Sequence, residues 1–429
     1  MAKIIVAAPP IPGELRPLLA IGRALATRGH EITVLTGTAL RDTVRKTGLA
    51  FEPLAGDADY DTAELGSRPE GSGPAPGIGH IDYDGNHGFA RPMPEEYRTL
   101  QRLLEADPDQ YLIANVLFLG AWPARLGAPG RRPKRWIAVS VVGFAYPSVD
   151  TTYFGPVPVF PGQDQKAANI AANARFVASM RPYEEVLYRL LTELGATEEF
   201  PTLIEGTVEL PDATALLSVP GFEFHRSDLP GNVHFVGSVP IRETESRGPR
   251  GWEPPSWWAE LDGSRPVVVV TQGTRANLDL SHLVEPALAG LADLDVTVIA
   301  ALGGRDPSIL TVEVPDNAHV EAYLPFSELL PRADLLITNG GANGIHESLA
   351  AGVPVIVAGM TEEKPANAAR VAHHRLGLNL KTGTPSAQVV RFAVERVLRD
   401  PAIRANVKKL AEVYATYDTF AEIERLTLG

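Results

Sequence analysis

Between Leu335 and Val357 the chain reads as an apolar strand, a glycine pair, a helix and a second apolar strand. The core of this stretch is Ile337-Thr-Asn-Gly-Gly-Ala-Asn-Gly-Ile-His-Glu-Ser-Leu-Ala-Ala-Gly-Val-Pro-Val-Ile-Val-Ala-Gly. A glycine turn that feeds a helix aims several backbone N–H groups and the positive end of the helix dipole at one spot, which suits phosphate oxygens. Asn343 and Glu347 share the helix face that begins at this turn, and a carboxylate one turn beyond a phosphate site can accept hydrogen bonds from ribose hydroxyls. The plainer reading is a βαβ crossover whose glycines serve only close packing. This segment alone leaves both open.

The same pattern occurs elsewhere. Lys3–Ala8 reads as a buried strand, Leu15–Arg28 as a helix and Glu31–Leu35 as the next strand, a unit of Rossmann type. Pro266–Thr271 restarts it with a Gln272-Gly273-Thr274 turn, a helix from about Leu280 to Leu291 and a strand over Asp295–Ala301. Residues 240–256 are rich in Arg, Glu, Gly, Pro and Ser and read as a linker. The expected organisation is residues 1–239, the 240–256 linker and residues 257–410. A C-terminal helix over 411–429 then packs back on the first domain. Helical pattern runs from Val389 to Leu428 with a break at Pro401.

Composition excludes several classes. A chain of 429 residues can hold two cores, and its net charge of −13 with no basic stripe argues against a nucleic-acid partner. The densest basic run, residues 131–135, contains Pro133 and reads as a solvated loop. There is no cysteine, so disulfides, thiolate nucleophiles and Cys-ligated metals are ruled out. No apolar run reaches membrane-spanning length, and Ile4–Ala8 reads as a strand rather than part of a signal peptide. The expectation is a cytoplasmic protein without a membrane span.

Several motifs in order carry a resemblance to a known family. They are Gly29-His-Glu-Ile-Thr-Val34, Asp150-Thr-Thr-Tyr-Phe-Gly155, the run from Ser218-Val-Pro-Gly to Phe-Val-Gly237, Thr271-Gln-Gly-Thr274, Thr338-Asn-Gly-Gly341 and Thr361-Glu-Glu-Lys-Pro-Ala-Asn-Ala368. Over nearly its whole length the chain resembles the family 1 glycosyltransferases, especially the bacterial branch acting on macrolide and aromatic natural products in secondary metabolism. The resemblance implies an α/β architecture of GT-B type, two Rossmann-like parallel-sheet domains facing across a cleft. It implies a UDP- or dTDP-sugar donor, a small-molecule acceptor, inversion, no metal or other cofactor, and a monomer or homodimer.

The resemblance also implies roles for residues. Thr274, after Gly273, matches a position that meets a phosphate, Tyr323 the aromatic that stacks on the base, and Leu324 a backbone contact to the base edge. Glu347 matches the ribose-binding carboxylate, and Glu363 and Lys364 the positions that bind sugar hydroxyls. The phosphate turn comprises Asn339, Gly340 and Gly341 with Asn343 and Gly344. Many relatives have His where this chain has Asn339, whose amide still donates but is neutral at every pH. The leaving diphosphate then rests on the helix N-terminus near Gly341–Gly344 and on Arg275, although Arg275 reads more readily as a plain surface cation. Acceptor contacts are expected from Phe144, Tyr146, Tyr153, Phe154 and the 77–95 loop, although each also reads as core or lid packing.

A second departure concerns the catalytic base. The loop Pro12-Gly13-Glu14 places Glu14 where relatives carry the base His, and Asn115 stands where they carry its orienting Asp. A neutral Asn115 can donate to Glu14 without repelling it. Glu14 then either takes the acceptor's proton or merely favours the first helix's dipole. Asp150 is another candidate base. His80, Asp82, Asp84 and His87 read as a solvated loop, and Asp57-Ala-Asp59 as a chance likeness to a metal-binding DxD. Two rivals stay open: a catalytically silent relative that binds or helps, and a nucleotide-sugar epimerase.

Overall fold

The computed structural model describes residues 1–61, 86–239, 252–274 and 277–429. They form two compact units. The first comprises Met1–Leu217, His225–Val239 and Asp418–Gly429, and the second Ser218–Phe224 and Pro240–Tyr417.

The first unit is built on seven parallel strands: β1 (Lys3–Ala7), β2 (Glu31–Thr36), β3 (Ala50–Pro53), β4 (Tyr111–Asn115), β5 (Trp136–Ser140), β6 (Ala213–Leu216) and β7 (Val233–Phe235), in the order β3-β2-β1-β4-β5-β6-β7. The second has six: β8 (Val267–Thr271), β9 (Thr297–Ala301), β10 (Ala318–Glu321), β11 (Leu335–Thr338), β12 (Val355–Val357) and β13 (Gly377–Asn379), ordered β10-β9-β8-β11-β12-β13. Every named pair in both sheets is parallel.

Strands covered by helices on both faces read as continuous apolar runs, and period-2 alternation divides them between two cores. Ile4 and Val6 join Ile113, Ile137 and Val139 on one face, while Ile5 and Ala7 join Leu112 and Ala114 on the other. Val268 and Val270 likewise separate from Val267 and Val269. Each of the Val, Leu and Ile side chains among them, fully buried, contributes roughly 1.5–3 kcal/mol.

In each sheet the chain leaves the first strand toward one side and later returns beside it on the other. Loops after β1 and β4, and after β8 and β11, therefore diverge at the carboxyl ends of adjacent strands, leaving a crevice where ligands bind in open parallel sheets.

The expected domain boundary at 410/411 needs correction. It falls inside the Pro401–Tyr414 helix, whose Leu410 and Tyr414 are buried in the second unit's core. The division lies after Tyr417, where Asp418 caps a separate helix, Thr419–Leu428. Ile423 and Leu426 of that helix belong to the first unit's core, and Thr419 donates to the Ser238 carbonyl. At the break near Pro401, Asp400 accepts from the Ala402 and Ile403 N–H groups, so one helix ends and the next is capped there. Of the expected linker, residues 240–251 lie outside the described residues.

Candidate active site

In the first unit, β1 pairs with β4 so that Ala7 faces Ala114. This register sets Asn115, the last residue of β4, beside the loop that enters the Pro12–Thr27 helix. Asn115 is buried, and its Nδ2 donates to Glu14 Oε2 at 2.7 Å. Its Oδ1 accepts from the Leu117 N–H at 2.8 Å, which fixes the amide's orientation. Glu14 is half-buried in the first helical turn, where no side chain caps the N-terminus. Among the described residues, a methyl added at Gly13 would meet nothing within 4 Å. The structure thus brings Glu14 and Asn115 together, and the helix end favours the carboxylate.

Asp150 is placed differently. Its Oδ2 accepts from both the N–H and the hydroxyl of Ser227, at 2.6 Å each. The Ser227 hydroxyl, then its N–H, hold the carboxyl below its usual range, which makes it a poorer proton acceptor. Asp150 thereby ties its loop to Ser227.

The expected acceptor aromatics divide. Phe144 is only 4% exposed, packed with Val208, Leu216 and Val233 and covered by the Arg226 guanidinium at 4.9 Å. Its face is taken by packing, a correction to its expected acceptor role. Tyr146 stacks on it and donates to Glu209 Oε1, so burial and that carboxylate raise its pKa. Tyr153 and Phe154 instead form an aromatic trio with Phe176, and Phe154 is half exposed. Phe176 lies on the Gln165–Ser179 helix, which also lines a cavity of about 510 Å³ with Pro147, Val149, Ile170, Ala174 and Val177. That volume suits a drug-sized molecule, and the wall also carries the charged residues Arg181, Glu184, Glu205 and Asp228. The expected loop site at His80, Asp82 and Asp84, with the His87 side chain, lies outside the described residues. Asp59 of the DxD-like triplet accepts from the Thr38 N–H and hydroxyl, a local structural duty.

In the second unit, backbone turns after four strands converge through glycines. A Cβ at Gly303 would lie 2.1 Å from the Gly273 carbonyl oxygen, and one at Gly359 would lie 1.8 Å from that of Asn339. Gly273 and Gly340 have φ of 71° and 99°, which side chains disfavour. Asn339 Nδ2 donates to the Gln272 carbonyl at 2.5 Å. Expected to face the diphosphate, this amide instead joins the turns after β8 and β11. Gly359→Ala is expected to lower the melting temperature, because overpacking of this kind costs about 1–3 kcal/mol. Thermal unfolding checks this, and an unchanged midpoint would show that the turns can part.

The Ala342–Ala350 helix starts at Gly341 without a side-chain cap, and methyls added at Gly341 or Gly344 would meet nothing within 4 Å. A helix start of this kind suits an anion, since its first N–H groups have no acceptor within the helix itself. Asn343 and Glu347 are half-buried on that helix, Thr274 is exposed and Tyr323 half-buried. Leu324 buries its side chain among Val269, Ile299 and Leu336, leaving only its backbone for a base contact. Glu363 begins the Lys364–His373 helix, next to Glu362 at a φ of 55°, a strained conformation for a residue with a side chain. Lys364 is buried and its ammonium pairs with Glu362, so its expected sugar contact is corrected: the stem packs over Gly340 and Gly359. Arg275 lies outside the described residues.

Two residues that sequence reasoning did not single out brace this site. Gln272 Oε1 accepts from the Leu283 and Val284 N–H groups, and buried Asn367 donates to the Gly340 carbonyl at 3.0 Å. Their signal was their place within the Thr271–Thr274 and Thr361–Ala368 motifs.

Comparison with known proteins points to one family. Residues 285–427 match the erythromycin biosynthesis protein CIII-like C-terminal domain. The chain is 34% identical to 4'-demethylrebeccamycin synthase of Lentzea aerocolonigenes, over 100% of this chain and 99% of that one. The chain belongs to the GT-B glycosyltransferase family. This glycosyltransferase is also 33% identical to UDP-glycosyltransferase 2 of Phaeomoniella chlamydospora, over 98% of its own length and 94% of the relative's. The crystal structure of CalG4, the calicheamicin glycosyltransferase, superposes with a TM-score of 0.73 at 22% identity, covering 99% of this chain and 98% of that one. Among the described residues, no helix is long and apolar enough to cross a membrane.

Proposed function

We propose that this glycosyltransferase transfers a sugar from a UDP- or dTDP-sugar to a hydroxyl of an apolar natural-product or phenolic acceptor, with inversion and without a metal. The observation that carries the reading is the Asn115–Glu14 hydrogen bond at the crevice of the first sheet. A neutral donor holds the carboxylate in place where a charged partner would repel it.

Glu14 takes the acceptor's proton, and the freed oxygen attacks the anomeric carbon. The bond from that carbon to the diphosphate breaks with its electrons on the leaving phosphate. A single displacement inverts the centre. Glu363 positions the sugar, Glu347 the ribose and Tyr323 the base, while first-turn N–H groups at Gly341–Gly344 receive the developing phosphate charge. The 510 Å³ cavity and the exposed face of Phe154 supply apolar surface for the acceptor. The silent-relative reading has no observation in its favour, since the two substituted positions remain hydrogen-bonded to each other.

Incubation with UDP- and dTDP-sugars and a panel of phenols and macrolides tests this. Glycoside is expected to accumulate at an undiminished rate in EDTA, with its anomeric configuration by NMR opposite to the donor's. A retained configuration excludes the single displacement. Isomerised nucleotide sugar without acceptor indicates an epimerase.

A further inference from the structure

We infer that Arg305 contacts the donor's diphosphate and supplies a full positive charge there. The inference rests on the reading that the second unit binds a pyrimidine nucleoside diphosphate sugar. After β9 the chain turns through Gly303 and Gly304, at φ of 62° and 96°. On one side this turn lies against the phosphate-side turn, since a Cβ at Gly303 would come within 2.1 Å of the Gly273 carbonyl oxygen. On the other, the Gly304 N–H donates to the Ala322 carbonyl at 2.7 Å, next to Tyr323. Arg305 therefore stands between the turn assigned to the diphosphate and the residue assigned to the base.

Its guanidinium is anchored toward the phosphate side. Arg305 Nε donates to Asn277 Oδ1 at 3.3 Å. Asn277 is buried and held by donating to the Leu302 carbonyl at 2.9 Å. That partner is neutral, and among the described residues no carboxylate forms an ion pair with the half-buried Arg305, while the adjacent Asp306 accepts from the Ser308 N–H. Lys364, beside the same turn, is paired with Glu362. Asn339 is uncharged, and a helix N-terminus carries only about half a unit charge. A guanidinium is permanently charged and offers a planar fork of donors suited to phosphate oxygens.

Calorimetric titration of UDP and dTDP, each beside its nucleoside, into the full-length protein and its Arg305→Gln and Arg305→Lys variants tests the assignment. Arg305→Gln is expected to weaken the diphosphates by about tenfold or more, the scale of a lost charged hydrogen bond, while nucleoside affinity holds. Arg305→Lys is expected to recover part of the loss. Unchanged diphosphate affinity in Arg305→Gln overturns the inference. So does an equal loss for nucleoside and diphosphate, which marks Arg305 as a brace for Asn277. A wild-type protein that binds neither diphosphate overturns the donor reading itself, and the inference with it.

Discussion

Glu14→Gln is expected to lower kcat for glycosyl transfer by about 10²–10⁴-fold, the usual contribution of a positioned general base. The amide keeps the shape of the carboxyl, and its oxygen can still accept from Asn115 Nδ2, which now lies 2.7 Å from Glu14 Oε2. What it loses is the ability to take a proton. Nucleotide affinity is expected to stay at the wild-type level, because the residues assigned to the donor lie on the second unit and Glu14 on the first. Steady-state kinetics with a phenolic acceptor, beside calorimetry with UDP, separates the two quantities. A variant that keeps kcat within a few-fold removes Glu14 from the mechanism. One that loses nucleotide binding as well shows a structural role for the first helical turn. Asn115→Leu gives a graded check. It leaves the carboxyl but removes its anchor, so kcat should fall less than for Glu14→Gln.

The sheets were legible because burial on both faces leaves a plain mark. Runs such as Val267-Val-Val-Val-Thr271 admit few other readings, and the glycine turns after them located the second unit's crevice. Glu14 and Asn115 were found through the resemblance. That they touch follows from parallel pairing of strands far apart in sequence, which local pattern does not encode. The errors have one physical origin: a side chain's chemistry does not say which neighbour consumes it. Asn339 donates to a backbone carbonyl, Lys364 to Glu362, and Asp150 accepts from Ser227, and each partner lies on a turn whose course was unknown. Phe144 failed similarly, since an aromatic in a loop reads alike whether its face is open or covered by Arg226. Nor did Glu223 and Arg370 attract attention, although they form a buried ion pair at 2.8 Å that fixes the Ser218–Phe224 segment within the second unit.

Glu96 was equally invisible, because a Glu pair at a helix start ordinarily faces water, and it carries the largest expected effect on stability. The Met93–Ala106 helix packs against the turn at Leu119–Ala121, and a Cβ at Gly120 would lie 2.6 Å from that of Glu96. Glu96 is fully buried, no side chain among the described residues pairs with its carboxyl or with the nearby Tyr183 hydroxyl, and only the Gly120 and Leu119 backbone faces the carboxyl. Burial pushes its pKa up to about 8, partly offset by the Gly120 and Leu119 backbone. The folded state therefore favours the neutral acid, whereas the unfolded chain ionises near the ordinary value of about 4.3. Stability from this site is fully present below that lower value and is lost as pH rises toward 8. The total is roughly 5 kcal/mol at about 1.4 kcal/mol per pH unit. Glu96→Gln is expected to abolish this slope. Its unpaired amide costs about 1–3 kcal/mol at every pH, so the decisive quantity is the slope and not the level. Denaturant unfolding at pH 5, 7 and 9 should show wild-type stability falling steeply and the variant's nearly flat, the variant being the more stable at pH 9. Parallel curves would mean that Glu96 is ionised in the folded protein and that a polar partner reaches it. Because the Leu119–Ala121 turn lies just past Asn115, loosening above pH 8 should reach the strand end that holds Glu14. Transfer should then decline there in the wild type and persist in Glu96→Gln.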